Sequence, residues 1–312
     1  MPDTREHRGP HPDDGALFAP AVLPRLRTAV ADFSLLLTRG YAGKSALKLV
    51  GDRFSLTQRQ RLAVMRGSCS DQQLASRLAR CVPVEALAGQ PLAIDGYNLL
   101  ITIEAALSGG LLFRGRDGCL RDLASIHGTY RKVEETVPAV RLIGEFLTEI
   151  GVSRVAGASA RGVEPDAQRP FGPGPPSNQG QGSPNAVFSR LGTQEALATR
   201  GQDARDTHAP VLWLFDSPVS NSGRLKTLVG ALARENGWAW EIRLTISPDA
   251  ELRSGLTVPG ARPPADRPVP AIVVSTDSVV LDGCPRWTNL AAALIATRLP
   301  GAAVLDLGAP PA

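Results

Sequence analysis

Three carboxylates occupy the same kind of place in this sequence. The short apolar run Leu92-Ala93-Ile94 ends in Asp95, Val211–Phe215 ends in Asp216, and Ala271–Thr276 ends in Asp277. Each run reads as a buried strand, and after Asp95 the residues Gly96-Tyr97-Asn98 turn the chain into a helix. Open α/β sheets bind ligands beyond the carboxyl ends of their parallel strands. One sheet can therefore carry all three carboxylates to one edge. Like charges held within about 4–6 Å raise one another's pKa, and a divalent cation removes the conflict. Oxygen-only ligands favour Mg²⁺ or Mn²⁺ over zinc or copper. Such an ion polarises a phosphodiester and acidifies a water for in-line attack. The alternative role for each Asp is to cap the helix that follows it.

Other residues add to this set. Asn98 can position a water or a scissile phosphate, or can simply start a helix. Glu104 lies nine residues after Asp95 on the expected helix, and Asp282 lies five after Asp277. Ser217 and Ser220-Asn221-Ser222-Gly223 precede a helix whose N-terminal N–H groups suit phosphate, although plain capping serves equally. Asp117 and Asp122 sit in a Gly/Arg-rich stretch that reads as a solvated loop or hairpin. Nucleophilic and dinucleotide chemistry is poorly supported, with no G-x-S-x-G and no G-x-G-x-x-G after a strand. No Walker loop is present. Of four His, only His127 falls in a segment expected to be structured. Four scattered Cys without a C-x-x-C pair argue against a zinc site or a disulfide framework.

These residues need elements to place them. Residues 1–21 are charged and proline-bearing, and are expected to be a disordered tail. Residues 22–90 read as a small basic helical domain with helices at about 23–38, 45–50, 58–66 and 72–80. It holds 11 Lys/Arg against 4 Asp/Glu. Arg59, Arg61, Arg66, Arg77 and Arg80 on its last two helices suit a grip on phosphates, or a solvated helical face. Residues 91–308 read as an α/β domain with a parallel sheet and right-handed crossovers. The strand Trp240–Ile246 alternates strictly and belongs near an edge. Residues 156–209 are low-complexity and are expected to be a disordered insertion.

The 312 residues allow about two domains. Hydrophobic content of 43% permits a core, and 5% aromatic content makes it mainly aliphatic. The net charge is only +4, so the basic character is concentrated in residues 22–90. No apolar run approaches the ~18–20 residues of a membrane span, and the polar N-terminus lacks a signal core. The expectation is a soluble cytoplasmic protein with no membrane contact. The sequence leaves a homo-oligomer open.

The segments IDGYNLL, LFDSPVSNSG and VVSTDSVVLD, each around a strand end, resemble the PIN-like nuclease superfamily, particularly its NYN-type branch. With RGYAGKSALKLVGDRF and GTYRK, the chain is more closely similar to a bacterial and archaeal family of uncharacterised proteins with a PIN-like domain. The resemblance covers most of 22–150 and 211–295. It implies a metal-dependent ribonuclease fold with Asp95, Asp216 and Asp277 at the acidic metal positions and Asp282 at a further one. The departure lies between Asp95 and Asp216, where the superfamily places an acid on a helix and Glu104, Asp122 and Glu135 compete.

The resulting expectation is a Mg²⁺- or Mn²⁺-dependent phosphodiesterase acting on RNA. Asp95, Asp216 and Asp277 hold the metal, Asn98, Asp282 and Glu104 complete the catalytic site, and the arginines hold the strand. The alternative is a non-catalytic RNA- or protein-binding module on the same scaffold. A small-molecule phosphohydrolase is a third option.

Overall fold

The structure, a computed structural model, describes residues 6–124, 128–152, 211–258 and 270–310. It is a mixed α/β protein in which an N-terminal helical segment precedes a parallel sheet flanked by helices. The helical segment comprises α1 (Asp14–Leu17), α2 (Leu23–Thr38), α3 (Gly43–Arg53), α4 (Gln58–Gly67) and α5 (Asp71–Arg80). Thr57 and Ser70 start α4 and α5 through capping boxes with Gln60 and Gln73, a local signal that fixes helix starts.

The remainder runs β1 (Leu92–Asp95), α6 (Gly96–Leu107), β2 (Leu112–Arg114), β3 (Leu120–Arg121) and α7 (Thr136–Glu149). It resumes with β4 (Val211–Asp216), α8 (Ser222–Asn236), β5 (Trp240–Thr245), α9 (Pro248–Arg253) and β6 (Ile272–Val274). It closes with α10 (Ser278–Gly283), β7 (Trp287–Thr288), α11 (Leu290–Arg298) and β8 (Val304–Asp306). The main sheet has the order β5-β4-β1-β6-β7 and is parallel throughout. The three strands that end near Asp216, Asp95 and Asp277 are therefore neighbours, and β5 is an edge as its alternation required.

The period-two alternation of strand side chains sorts the core into two faces. Leu92, Ile94, Trp213, Phe215, Ile272 and Val274 bury into one apolar layer with α6, α7, α8 and α11. Ala93, Leu212, Leu214, Ala271 and Val273 face the other way, against Leu252 of α9 and Val280 and Leu281 of α10. Gly96 allows the sharp passage from β1 into α6, since a Cβ there would lie 2.4 Å from the Phe215 ring.

A second sheet, β3-β2-β8, changes the domain picture. Residues 111–132 supply the antiparallel hairpin β2–β3, and the C-terminal β8 pairs in parallel with β2. Phe113, Leu123 and Leu307 on this side share one core with Leu26, Val30, Phe33, Ala63 and Val64 of the helical segment. The helices are thus joined to the α/β part by continuous apolar packing rather than by a linker.

The expected N-terminal disorder is also corrected over residues 6–21. Asp14 is buried and paired with Arg59, and Phe18 packs edge-on to Phe113. Few apolar residues suffice here because the segment buries against a surface already formed by others. The expected insertion at 156–209 lies outside the described residues, as does His127.

Candidate active site

The site grows from the ends of β1, β4 and β6. Strand register sets Asp95 level with Leu214, while Ile94 is level with Val274. Asp216 and Asp277 therefore stand two residues beyond the level of Asp95, along the paths of β4 and β6. Two strand residues correspond to about 6–7 Å along the strand direction. All three have the parity of the face that meets α9 and α10.

Two of the three cap helices, as the alternative reading required. The Asp95 carboxylate accepts the Asn98 N–H at 3.4 Å, opening α6. Asp277 accepts the N–H groups of Val279 and Val280 at 2.7 and 3.3 Å, opening α10. Capping does not exhaust Asp95. Its second oxygen takes the Ser275 hydroxyl at 2.8 Å, which ties β1 to the end of β6. Asn98 does similar work, its amide oxygen accepting both the Thr276 N–H at 2.8 Å and the Thr276 hydroxyl at 3.0 Å.

A fourth carboxylate, Asp249 of α9, joins this group. Burial pushes Asp95 up to about 7, against the hydrogen bond from Ser275, and the charges of Asp249 and Asp277 push further. Asp216 is raised by burial and then by Asp249, and Asp249 by burial and then by Asp277. Asp249 is thus felt by both Asp95 and Asp216. Sequence reasoning missed it, although Ser247-Pro248-Asp249 has the N-cap, N1-proline and first-turn acid of a helix start.

Asp95, Asp249 and Asp277 line a cleft of about 760 Å³ with Asn98, Thr276 and Asp122. Its opposite wall is built by the helical segment, through Phe33, Leu37, Met65 and Arg66. Asp122 is held by the Thr102 hydroxyl at 3.1 Å and by Arg66 at 3.6 Å. Of the three acids that competed for a position between Asp95 and Asp216, Asp122 is the one facing the cleft.

The others are elsewhere, and so are several expected site residues. Glu104 is fully buried and binds Arg8 at 2.9 Å, Thr136 at 2.7 Å and the Tyr130 hydroxyl. It points into the α6–α7 core, where burial raises its pKa despite Arg8, so it is a structural acid rather than a catalytic one. Glu135 accepts from His7 at 2.7 Å. Asp282 pairs with Arg77 at 2.7 Å and accepts from Gln73 at 2.7 Å, which removes it from the site.

The five arginines expected to hold nucleic acid are taken up internally. Arg59 binds Asp14, Arg61 binds Asp52 at 2.8 Å, Arg66 binds Asp122 and the carbonyls of Asp122 and Ala124, and Arg80 binds the carbonyls of Leu281 and Cys284. Arg77 is 1% exposed and sits between Asp117 and Asp282. Asp117 also binds Arg121 at 2.6 Å. Burial alone would raise the Asp117 pKa, but the two guanidiniums hold it at about 2. Long side chains at helical spacing look solvated in sequence, and only packing reveals that they staple α5 to the hairpin and α10.

The donor set fits a hard divalent cation. Every candidate ligand is a carboxylate oxygen, and the mutual repulsion around Asp95 is what such a charge relieves. Among the described residues, no three of these carboxylates bring an oxygen each within 4.8 Å. Direct ligation there is thus limited to one or two carboxylates, a number Mg²⁺ accepts when it keeps its other positions for water. Glu6, His7 and Glu134 do converge within 4.8 Å, but they are exposed and lie outside the cleft.

A parallel five-stranded sheet with a carboxylate-bearing cleft at its C-terminal edge defines an α/β protein with a polar, charge-bearing cleft. Comparison places it further. The model of the family described as Domain of unknown function (DUF5616) matches residues 84–159 and 192–293, more than half of the chain, and the protein belongs to that family. Residues 25–80, the helical segment, match a second family, Protein of unknown function (DUF434). Uncharacterized protein MJ0935 of Methanocaldococcus jannaschii is 28% identical over 130 residues, which cover 42% of this chain and 62% of the relative. The match thus spans about three-fifths of that relative's length. No solved structure matches. No helix among the described residues is long and apolar enough to cross a membrane.

Proposed function

We propose that the protein is a metal-dependent phosphodiesterase of PIN-like type acting on RNA in the cytoplasm. The observation that carries this reading is the meeting of Asp95 and Asp277, which follow the adjacent parallel strands β1 and β6, with Asp249 of α9 on one cleft, while Asp216 stays outside its lining. Asp95, Asp249 and Asp277 would hold Mg²⁺ or Mn²⁺, one or two of them directly and the remainder through the ion's waters. Bound there, the ion supplies neutralising charge for a phosphodiester and a water acidified for attack at phosphorus.

The chain's own residues do the rest. Ser275 fixes the Asp95 carboxylate, and Asn98 locks the β6 end against α6, so the acids are set before a substrate arrives. Phe33, Leu37, Met65 and Ile101 give the cleft an apolar wall that can take a nucleobase. Arg66 brings a positive charge to the same wall beside Asp122.

The test is cleavage of a single-stranded RNA in Mn²⁺ by the wild type and by Asp95→Asn and Asp249→Asn. Loss of at least 100-fold in rate, with unchanged circular dichroism, is the expected result. Full activity in either folded variant would refute the assignment of that residue, and in both would refute the site. One second reading, a binding module without hydrolysis, is favoured by the spacing of the cleft acids, no three of which bring an oxygen each within 4.8 Å among the described residues. It predicts RNA binding, no cleavage, and no effect of the Asp substitutions.

A further inference from the structure

A second cavity, of about 410 Å³, lies between the segment 130–132 and the N-terminal part of α8. Its lining differs from that of the first, which mixes Asp95, Asp122, Asp249 and Asp277 with Arg66, Arg77 and Arg121. Arg131, Lys132 and Arg224 line it, and no carboxylate does. Among the described residues, neither Lys132 nor Arg224 makes an ion pair, in contrast to the arginines of α4 and α5.

The walls are fixed by main-chain contacts. Ser220 donates its N–H to the Gly128 carbonyl at 2.9 Å, and Tyr130 donates to the Ser220 carbonyl at 3.1 Å. The Asn221 amide donates to the Tyr130 carbonyl at 3.0 Å. Asn221 takes a left-handed conformation, φ 72°, to enter α8. Arg131 and Lys132 are therefore braced against the start of α8, which carries Arg224.

This cavity adjoins the carboxylate cleft. Tyr130 lines the basic cavity and Tyr97 lines the cleft, and their ring centroids are 5.2 Å apart. Ser222 ties the two sides together, accepting or donating at 2.7 Å with the Tyr97 hydroxyl while also reaching the Asp216 carbonyl. A carboxylate-bearing cleft and a basic cavity separated by one pair of rings suit a strand long enough to reach both, with the cavity's cations offsetting the repulsion of the cleft's carboxylates.

We propose that the cavity of Arg131, Lys132 and Arg224 is a phosphate subsite for a polynucleotide strand that also reaches the carboxylate cleft. The subsite rests on the phosphodiesterase reading for the chemistry at the cleft. It supplies the strand contact that the arginines of the helical segment do not.

The experiment is fluorescence anisotropy of a fluorescein-labelled single-stranded oligouridylate, without divalent metal, over a range of salt. Lys132→Ala/Arg224→Ala alters two exposed side chains and is checked for folding by its melting curve. The double substitution is expected to weaken binding at least tenfold at low salt. It should also lower the slope of log K against log salt by about 1.4, from two lost phosphate contacts at ~0.7 each. A control double variant, Arg39→Ala/Lys44→Ala, removes the same charge elsewhere and is expected to bind within about twofold of wild type. Equal losses in both variants, an unchanged slope, or no binding by the wild type would overturn the subsite. Mn²⁺-dependent cleavage is measured separately. Weakened binding in a protein that never cleaves would leave the subsite standing and refute the nuclease, whereas cleavage with unaltered binding would refute the subsite alone.

Discussion

Replacing Asp95 with Asn should make the metal-free protein more stable, and more so at high pH. Asp95 is 7% exposed, and its folded-state pKa is about 7 against 3.8 for the free side chain. Between those values the native state holds a proton that the unfolded state has released. Stability then falls as pH rises through that window and levels off above it. About 3 units at 1.36 kcal/mol each set a ceiling of about 4 kcal/mol at pH 8. Asn is as good an N-cap as Asp, but its one oxygen serves either the Asn98 N–H or the Ser275 hydroxyl, which the carboxylate accepts on separate oxygens, so part of the relief is lost and roughly 2–3 kcal/mol survives. For a chain of this size that is a rise in Tm of roughly 4–10 °C. At pH 5 the wild-type carboxyl is already neutral when folded, and the advantage should shrink by about 2–3 kcal/mol. Differential scanning fluorimetry at pH 5 and pH 8 reads both effects. Adding Mn²⁺ should raise the Tm of the wild type by mass action and leave the variant unmoved. A lower Tm for the variant at pH 8, or a difference independent of pH, would refute the electrostatic account of Asp95.

Three structural predictions accompany it. Arg8→Ala leaves Glu104 buried without its cation, and the loss should be about 3–5 kcal/mol by chemical denaturation. An unaffected midpoint would show that residues 6–10 are dispensable. Asp117→Asn leaves Arg77 and Arg121 buried and underpaired, with a similar expected loss. Because the Asp117 pKa is depressed to about 2, its contribution is present above about pH 4 and is lost as pH falls through about 2, so wild type and variant should converge in acid melts. Gly96→Ala drives a methyl into the Phe215 ring and should cost about 1–3 kcal/mol, while Gly223→Ala, with open space around it, should change stability by less than about 1 kcal/mol.

Much of this molecule is written locally. The span of α2, the capping boxes of α4 and α5 and the three strand-terminal aspartates follow from residues within a few positions of one another. Strand content and the alternation of Trp240–Thr245 also gave the parallel sheet and its exposed edge. Tertiary structure alone decided which charges are available. Glu104 and Asp282 look like Asp95 in sequence, yet Arg8 and Arg77, 96 and 205 residues away, neutralise them. Asp249 and Asp122 enter the cleft only because α9 and the β3 end fold back over it. The five arginines of α4 and α5 have the spacing of a phosphate grip, and their partners, from Asp14 to Cys284, occupy them. The physical reason is range. Caps, turns and strand periods depend on neighbouring backbone groups, whereas the fate of a charge depends on burial and on partners that only the folded chain brings near.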